Sequence, residues 1–226
     1  SLIVLILTDG FVLGMTDVMI NGLTKTLEGE AQVNRKGFRD NFDAEYTLDD
    51  PDAIISELAN SAIVQSYAPR VMVGGMLASS YNTVGGFIYG IDAQKESDVS
   101  RIRKAVYEGS YLTGRDRELL IGKGMAELLE VEIGDRIILT AATVGGSEIT
   151  QELFRVSGFV SFGPKDMDET LAFINLDQAQ RFLDLDNRVH QIVIRFHDPA
   201  DANKPLALYD RLTTDEVEAQ GWLKLQ

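Results

Sequence analysis

Cysteine is absent from the 226 residues. Disulfides, thiolate metal sites and cysteine nucleophiles are therefore all excluded. Histidine is nearly absent: His190 and His197 are the only two, too few for a multi-histidine metal centre. Basic side chains are also scarce, with 21 Lys and Arg against 35 Asp and Glu and a formal net charge of -14. No basic run offsets that charge. Phosphate backbones and anionic headgroups would repel such a chain, so nucleic acid is not an expected partner. Long apolar runs are missing too. The stretch Ile3 to Leu7 is continuous but far short of the ~20 residues a membrane helix needs. It has no basic residues before it and no small-residue cleavage site after it, so it is not a complete signal peptide.

The chain that remains has an ordinary globular balance, 45% hydrophobic and 25% charged, with length enough for one large domain or two modest ones. Phe11, Met15, Met19, Leu23 and Leu27 recur every four residues and lay one apolar stripe along a helix. Two readings fit: an amphipathic helix packed on its own domain, or the end of a transmembrane helix continuing outward as a stalk. The chain starts at Ser1 rather than a methionine, which favours a piece of a longer protein.

A strand is expected near Glu30 to Val33, followed by a polar loop from Arg39 to Asp50. Asp50-Pro51 opens a helix, with Asp50 as N-cap and Pro51 where its missing N–H costs nothing. Ile54, Ile55, Leu58 and Ala59 are its expected buried side. Extended segments follow at Ile63 to Ala68, Val71 to Val73 and Met76 to Ala78, with a break at Pro69. After a turn at Ser79 to Asn82, Val84 to Ile91 is a strand in which Gly85-Gly86 marks a bulge or a close backbone approach. Ser97 or Asp98 is expected to cap a helix carrying Val99, Ile102 and Val106 and ending at Gly109. Glu118 to Thr140 reads as strand, glycine-framed helix, tight Gly134-Asp135 turn and second strand, with Met125, Leu128 and Leu129 as the helix's apolar face. Thr140 to Ser147 is a small-residue turn, and the strand after it runs from Ile149 to Phe162. Leu171 to Ile174 is a short buried strand, and Asp177 is expected to cap the next helix. Val189 to Phe196 alternates as a strand. A last helix covers about Ala200 to Leu212, and Trp222 to Leu225 a terminal strand.

The candidates for chemistry are few. Asp166, Asp168 and Glu169 form the best carboxylate cluster, on a polar loop from Gly163, and Asp184 with Asp186 offers a second pair for a hard cation. Asp49, Asp50 and Asp52 sit at a helix start, where the macrodipole alone favours acids, and they lack calcium-loop spacing. Gly122-Lys123-Gly124 lies between a strand and a helix but has neither Walker nor dinucleotide-turn spacing, so a structural helix start is the better reading. His190 and His197 are seven apart and face opposite sides of a regular strand, with exposed or capping roles expected. No catalytic, cofactor-binding or metal-binding residue is assigned, and an enzyme is not expected.

Several separated motifs carry a family resemblance. IGKGMAELLEVEIGD, Tyr67-Ala68-Pro69-Arg70-Val71, Gly74-Gly75-Met76-Leu77 and Gly90-Ile91-Asp92-Ala93-Gln94-Lys95-Glu96 occur in order. So do Asp177-Gln178-Ala179-Gln180 with Leu183 and the run Val189 to Ile194. Together they resemble the extracytoplasmic domain of LolE/LolC-type permeases in the MacB/FtsX superfamily of ABC transporters. Ala93 stands where that family usually has proline. The resemblance implies an α+β fold: a discontinuous ferredoxin-like (Porter-type) domain over residues 28–74 and 165–226. A small β-rich (Sabre-type) domain would be inserted at 75–164, with a stalk helix over 1–27. It implies a non-catalytic periplasmic domain of an inner-membrane permease that couples cytoplasmic ATP hydrolysis to extraction or export of lipoprotein or other hydrophobic cargo.

The implied partners are a second permease subunit, a separate cytoplasmic ATPase, a periplasmic carrier or lipoprotein cargo, and the membrane through flanking helices. LolC-type subunits carry a long proline-bearing hook where this chain has only Ala141 to Thr150, so a LolE-type subunit or a homodimeric relative is expected. The alternatives are a carboxylate-dependent metal-binding module or hydrolase using the 166–169 loop, or an FtsX-like module that recruits a partner.

Overall fold

In the computed structural model, residue 27 and residues 29–144, 148–204 and 206–221 are described. The stalk reading for 1–27, apart from Leu27, the Gly145-Gly146 tip and the strand at Trp222 to Leu225 lie outside them.

The fold is α+β. The first strand, β1 (Ala31–Arg35), leads to a single turn, α1 (Phe38–Asn41), inside the stretch expected to be only loop. Helix α2 (Pro51–Ala59) begins as its residues dictate, with the Asp50 carboxylate accepting from the Ala53 N–H. Pro51 and Leu58 are its buried residues, Ile54 and Ile55 are half-buried, and Ala59 is exposed, so its inner face is narrower than expected.

Strand β2 (Val64–Ala78) then runs 15 residues without a break. Pro69 does not interrupt it. The next strand, β3 (Thr83–Ile91), begins its pairing with β2 only at Arg70, so at Pro69 one side of β2 is still a free edge, where proline is tolerated. At ~3.3 Å per residue β2 is about 50 Å long. Within β3, Gly85-Gly86 is a close approach and not a bulge: the register with β2 is unbroken, and a Cβ on Gly86 would lie 2.7 Å from the Thr170 carbonyl oxygen.

Asp92, and not Ser97 or Asp98, caps α3 (Ala93–Val99), its carboxylate accepting from the Gln94 and Lys95 N–H groups. A separate turn, α4 (Ile102–Ala105), follows, and Val106 already belongs to β4 (Val106–Gly109). Next come β5 (Glu118–Gly122), α5 (Lys123–Leu129), β6 (Arg136–Ala142) and β7 (Ile149–Val160). Met125 and Leu129 are buried as expected, but Leu128 is exposed. The expected loop from Gly163 instead winds into α6 (Lys165–Thr170), ahead of β8 (Leu171–Asn175). Asn175, and not Asp177, is the N-cap residue of α7 (Leu176–Leu183). Strand β9 (Gln191–Phe196) precedes a 3-10 turn at Pro199–Asn203 and a separate α8 (Ala207–Leu212), where one helix was expected. The strand β10 (Val217–Gly221) closes the described chain.

All ten strands among the described residues join one sheet, and β2 organises it. Its lower half pairs with β9, which pairs with β1, which pairs with β10, forming an open four-stranded part. Its upper half belongs to a ring: β2 pairs β3, β3 pairs β8, β8 pairs β5, β5 pairs β7, β7 pairs β6, and β6 returns to β2. Alternate residues point into the ring, among them Leu77, Ile88, Leu119, Ile121, Ile137, Leu139, Phe154 and Val156, all buried in one apolar cluster. That cluster continues down one face of the open part through Val71, Ile192, Ile194, Val33 and Leu58.

Candidate functional site

The chain enters and leaves the sheet at one point. Strands β1 and β10 are antiparallel with Ala31 opposite Gly221, so the first residue of β1 and the last of β10 lie side by side at one end of the sheet, one strand spacing apart, about 4.8 Å. The register then fixes which way is up. Phe196 on β9 lies near that end and pairs with Val64, while Gln191 at the other end of β9 pairs with Arg70. Strand β2 therefore rises from the end where the chain enters and carries the ring at the far end.

The point where β2 passes from open sheet to ring is polar and buried. Arg70 makes a two-point ion pair with Glu96 of α3, Nε to Oε2 at 2.9 Å and Nη2 to Oε1 at 2.6 Å, with side chains 2% and 0% exposed. Burying two charges is costly unless their geometry satisfies both, as a bidentate pair does. The network extends sideways. Arg70 Nη1 donates to Gln191 Oε1, Gln191 Nε2 donates to Gln32 Oε1 at 2.8 Å, and Arg39 Nη1 donates to the same Gln32 oxygen at 2.6 Å. One row of side chains thus connects α3, β2, β9, β1 and α1.

His190 sits beside this row. It is fully buried and stacked on Phe38, where an exposed or capping role was expected. Its Nδ1 accepts from the Met72 N–H at 3.1 Å, which requires a bare nitrogen, and its Nε2 faces the Ala44 carbonyl at 2.9 Å and so carries the proton. Burial pushes its pKa from 6.5 down to about 4, with Arg188 adding to the effect; the Ala44 carbonyl and Asp43 oppose it. His197, seven residues on, is exposed. The two histidines do not meet.

The carboxylates singled out in the sequence are engaged in local structure. Asp168 is buried and accepts from Ser161 Oγ and the Phe162 N–H, both at 2.7 Å. Glu169 pairs with Lys165 at 3.3 Å, and Asp166 is exposed in the first turn of α6. Asp184 and Asp186 are exposed on either side of buried Leu185, each with a left-handed backbone, φ 58 and 52. Asp50 is spent on its cap and Asp52 accepts from Asn187 Nδ2. Among the described residues no group of three or more His, Asp or Glu side chains is placed to hold a metal ion. Gly122 and Gly124 press against α6: a Cβ on Gly122 would lie 2.2 Å from the Asp168 carbonyl oxygen, and one on Gly124 2.6 Å from Glu169 Cγ. Lys123 points outward, 3.9 Å from Glu127. The glycine-framed helix start is thus a packing device. Sequence reading missed Arg70, Glu96 and Gln191, because a buried ion pair 26 residues apart leaves no periodic signal.

Comparison with known proteins agrees with this architecture. A family model described as the MacB-like periplasmic core domain matches residues 1–205. The lipoprotein-releasing system transmembrane protein LolC of Neisseria meningitidis serogroup B is 24% identical over 98% of this chain, which spans 56% of that protein. LolC of Xylella fastidiosa is 30% identical over 115 residues, 48% of this chain and 28% of its own length. Among solved structures, the periplasmic region of MacB from Actinobacillus actinomycetemcomitans superposes with a TM-score of 0.61 at 15% identity, covering 90% of this chain and 93% of that one. The extracellular domain of the ABC-type transporter YknZ from Gram-positive bacteria gives 0.58 at 16% identity, covering 85% and 99%. These two likenesses are of fold. Among the described residues no helix is long and apolar enough to cross a membrane.

Proposed function

The chain belongs to the MacB-like periplasmic core domain family, and from that premise we propose that it is the extracytoplasmic domain of an ABC transporter permease. In this reading it carries out no chemistry itself. It transmits the ATP hydrolysis of a separate cytoplasmic subunit to the outer face of the inner membrane, where lipoprotein or another hydrophobic cargo is extracted or exported. A second permease subunit completes the machine. We assign 28–74 and 165–226, which hold the open sheet and lend β8 to the ring, to the Porter-type part, and residues 75–164 to the inserted Sabre-type part.

The observation that carries this reading is the pairing of Ala31 with Gly221. A domain whose two ends leave side by side fits between two neighbouring membrane helices, and β2 then carries the ring from about 20 Å, at Arg70, to about 50 Å, at Ala78, above its own start. The buried row from Gln32 to Glu96 supports transmission, because it ties the strand nearest the membrane to the foot of the ring through satisfied hydrogen bonds. The similarity to LolC proteins, named for lipoprotein release, supports the cargo class.

The absence of cysteine makes the test clean. In the uncut protein, with any cysteine outside these residues replaced, Ser80→Cys on the far turn should react with a membrane-impermeant maleimide added from the periplasmic side, and an ATPase should co-purify. Labelling only from the cytoplasmic side, or a protein that purifies from the soluble fraction with no ATPase, overturns the reading.

A further inference from the structure

Strands β3 and β8 lie side by side and parallel, and their last residues, Ile91 and Asn175, are paired. The helices that follow part there. Helix α7 packs on one face of the sheet: a Cβ on Gly90 would lie 2.2 Å from Ala179 Cβ, and Ala179 and Phe182 join the cluster that fills the ring. Helix α3 takes the other face, where Ala93 packs with Tyr89 and Ile91, and Glu96 meets Arg70. Neighbouring parallel strands whose helices go to opposite faces open a crevice beyond their carboxyl ends, the usual place for a ligand on such a sheet. Here it measures about 700 Å³, within the range of small-ligand sites, and the segment from Ser110 to Gly114 forms its third side.

Three aspartates and two arginines line the crevice, a near balance in a chain of net charge -14. Asp116 and Arg181 are spent on each other at 2.8 Å, and Asp92 on the cap of α3. That leaves Asp177 and Arg103, which make no ion pair or hydrogen bond among the described residues. The Arg103 guanidinium is held over the Tyr111 ring, 5.8 Å from its centre. The start of α7 is open as well: Asn175, its N-cap residue, makes no capping bond, and its side chain turns instead to the Arg115 carbonyl. First-turn N–H groups without a side-chain cap favour an anion. Behind Arg103, the Tyr111 hydroxyl is buried without a hydrogen-bond partner, in the field of Glu96 and Arg70.

We propose that this crevice binds a small zwitterion, the free ammonium and carboxylate of an amino acid or short peptide. Arg103 and the uncapped start of α7 take the carboxylate, and Asp177 takes the ammonium group. A ligand of one charge fits less well, since an anion meets three aspartates and a cation meets Arg103 and the positive end of α7. An occupant braces the segment from Ser110 to Gly114 against α3 and α7, beside the Arg70–Glu96 pair. The inference rests on the crevice and holds apart from the transport reading, which labelling and ATPase co-purification judge separately.

The probe is triglycine, charged at both ends, titrated into the 226-residue chain and followed by backbone amide NMR. Triglycinamide, which lacks the carboxylate, and N-acetyltriglycine, which lacks the ammonium group, are the comparisons. Triglycine should shift the amides of Ala93, Thr113 and Leu176 and bind at least about fivefold more tightly than either blocked peptide. Arg103→Gln should abolish the preference over triglycinamide alone, and Asp177→Asn the preference over N-acetyltriglycine alone. Both side chains are exposed, so the fold should survive, as unchanged spectra away from the crevice would verify. Equal affinity for the three peptides, shifts that avoid these amides, or no binding of triglycine at millimolar concentration overturns the proposal.

Discussion

Arg70 and Glu96 meet through two hydrogen bonds, 2.9 and 2.6 Å, where β2 leaves the open sheet for the ring, and water reaches neither side chain to any extent. The pair fastens α3 across the junction. Because each charge is buried, its partner is what makes it tolerable.

Glu96→Gln should therefore destabilise by about 3–5 kcal/mol, the range for stranding a buried charge. Replacing both at once, Arg70→Met with Glu96→Leu, should cost clearly less than the single change. Urea unfolding of the three chains checks this. Equal losses for single and double variants would show that the pair's geometry is not what the junction depends on.

His190 gives the domain a pH dependence of definite sign. Its folded pKa, about 4, lies below the ordinary 6.5, so between those values the unfolded chain takes up a proton that the folded chain refuses. Its contribution is fully present above pH 6.5 and is lost as pH falls toward 4, a change of roughly 3 kcal/mol at 1.36 kcal/mol per unit. A protonated ring would also turn a second donor onto the Met72 N–H. His190→Gln should flatten that part of the stability profile. An unchanged slope between pH 6.5 and 4 in the variant would assign the dependence elsewhere.

Asp168 should behave as a latch and not as a ligand. Asp168→Ala removes two charge-assisted bonds, to Ser161 Oγ and to the Phe162 N–H, and should cost about 2–4 kcal/mol. Calcium, magnesium or manganese should leave the melting temperature of the native chain unchanged. A metal-dependent rise that Asp168→Ala abolishes would reverse this assignment.

Legibility in the sequence followed the range of the interaction. The cap on α2 and the glycine-framed start of α5 were readable because each is decided within a few residues, by Asp50 and Pro51 and by Gly122 and Gly124. Pro69 was misread as a break because its tolerance depends on where β3 begins to pair, 22 residues later. The start of α3 was misplaced because Ser97, Asp98 and Asp92 are all competent caps, and packing of Glu96 onto Arg70 selects the earlier one. The loop from Gly163 wound into α6 because Asp168 finds its donors on the preceding strand end. The crevice between α3 and α7 was invisible, since it exists only where β3 and β8 pair and send their helices to opposite faces.

The glycines of the α5 start make a sharp contrast with the lysine between them. Gly122→Ala forces a Cβ onto the Asp168 carbonyl and should cost about 1–3 kcal/mol or more, as overpacking does, while Lys123→Ala should be nearly neutral. Thermal melts of both separate packing from phosphate binding. A large loss for Lys123→Ala, or stabilisation by added phosphate or ATP, would restore the binding reading.

Whether the nucleotide state of a cytoplasmic ATPase reaches this domain is settled most directly by distance. The permease, assembled with its ATPase in nanodiscs, carries a spin label at Lys165→Cys and another at the corresponding place on the second permease subunit. Pulsed electron resonance then compares the nucleotide-free and vanadate-trapped states. Transmission through β1 and β2 predicts two distinct distance distributions, with Glu96→Gln blunting the difference. Superimposable distributions in a complex that is hydrolysing ATP would contradict it.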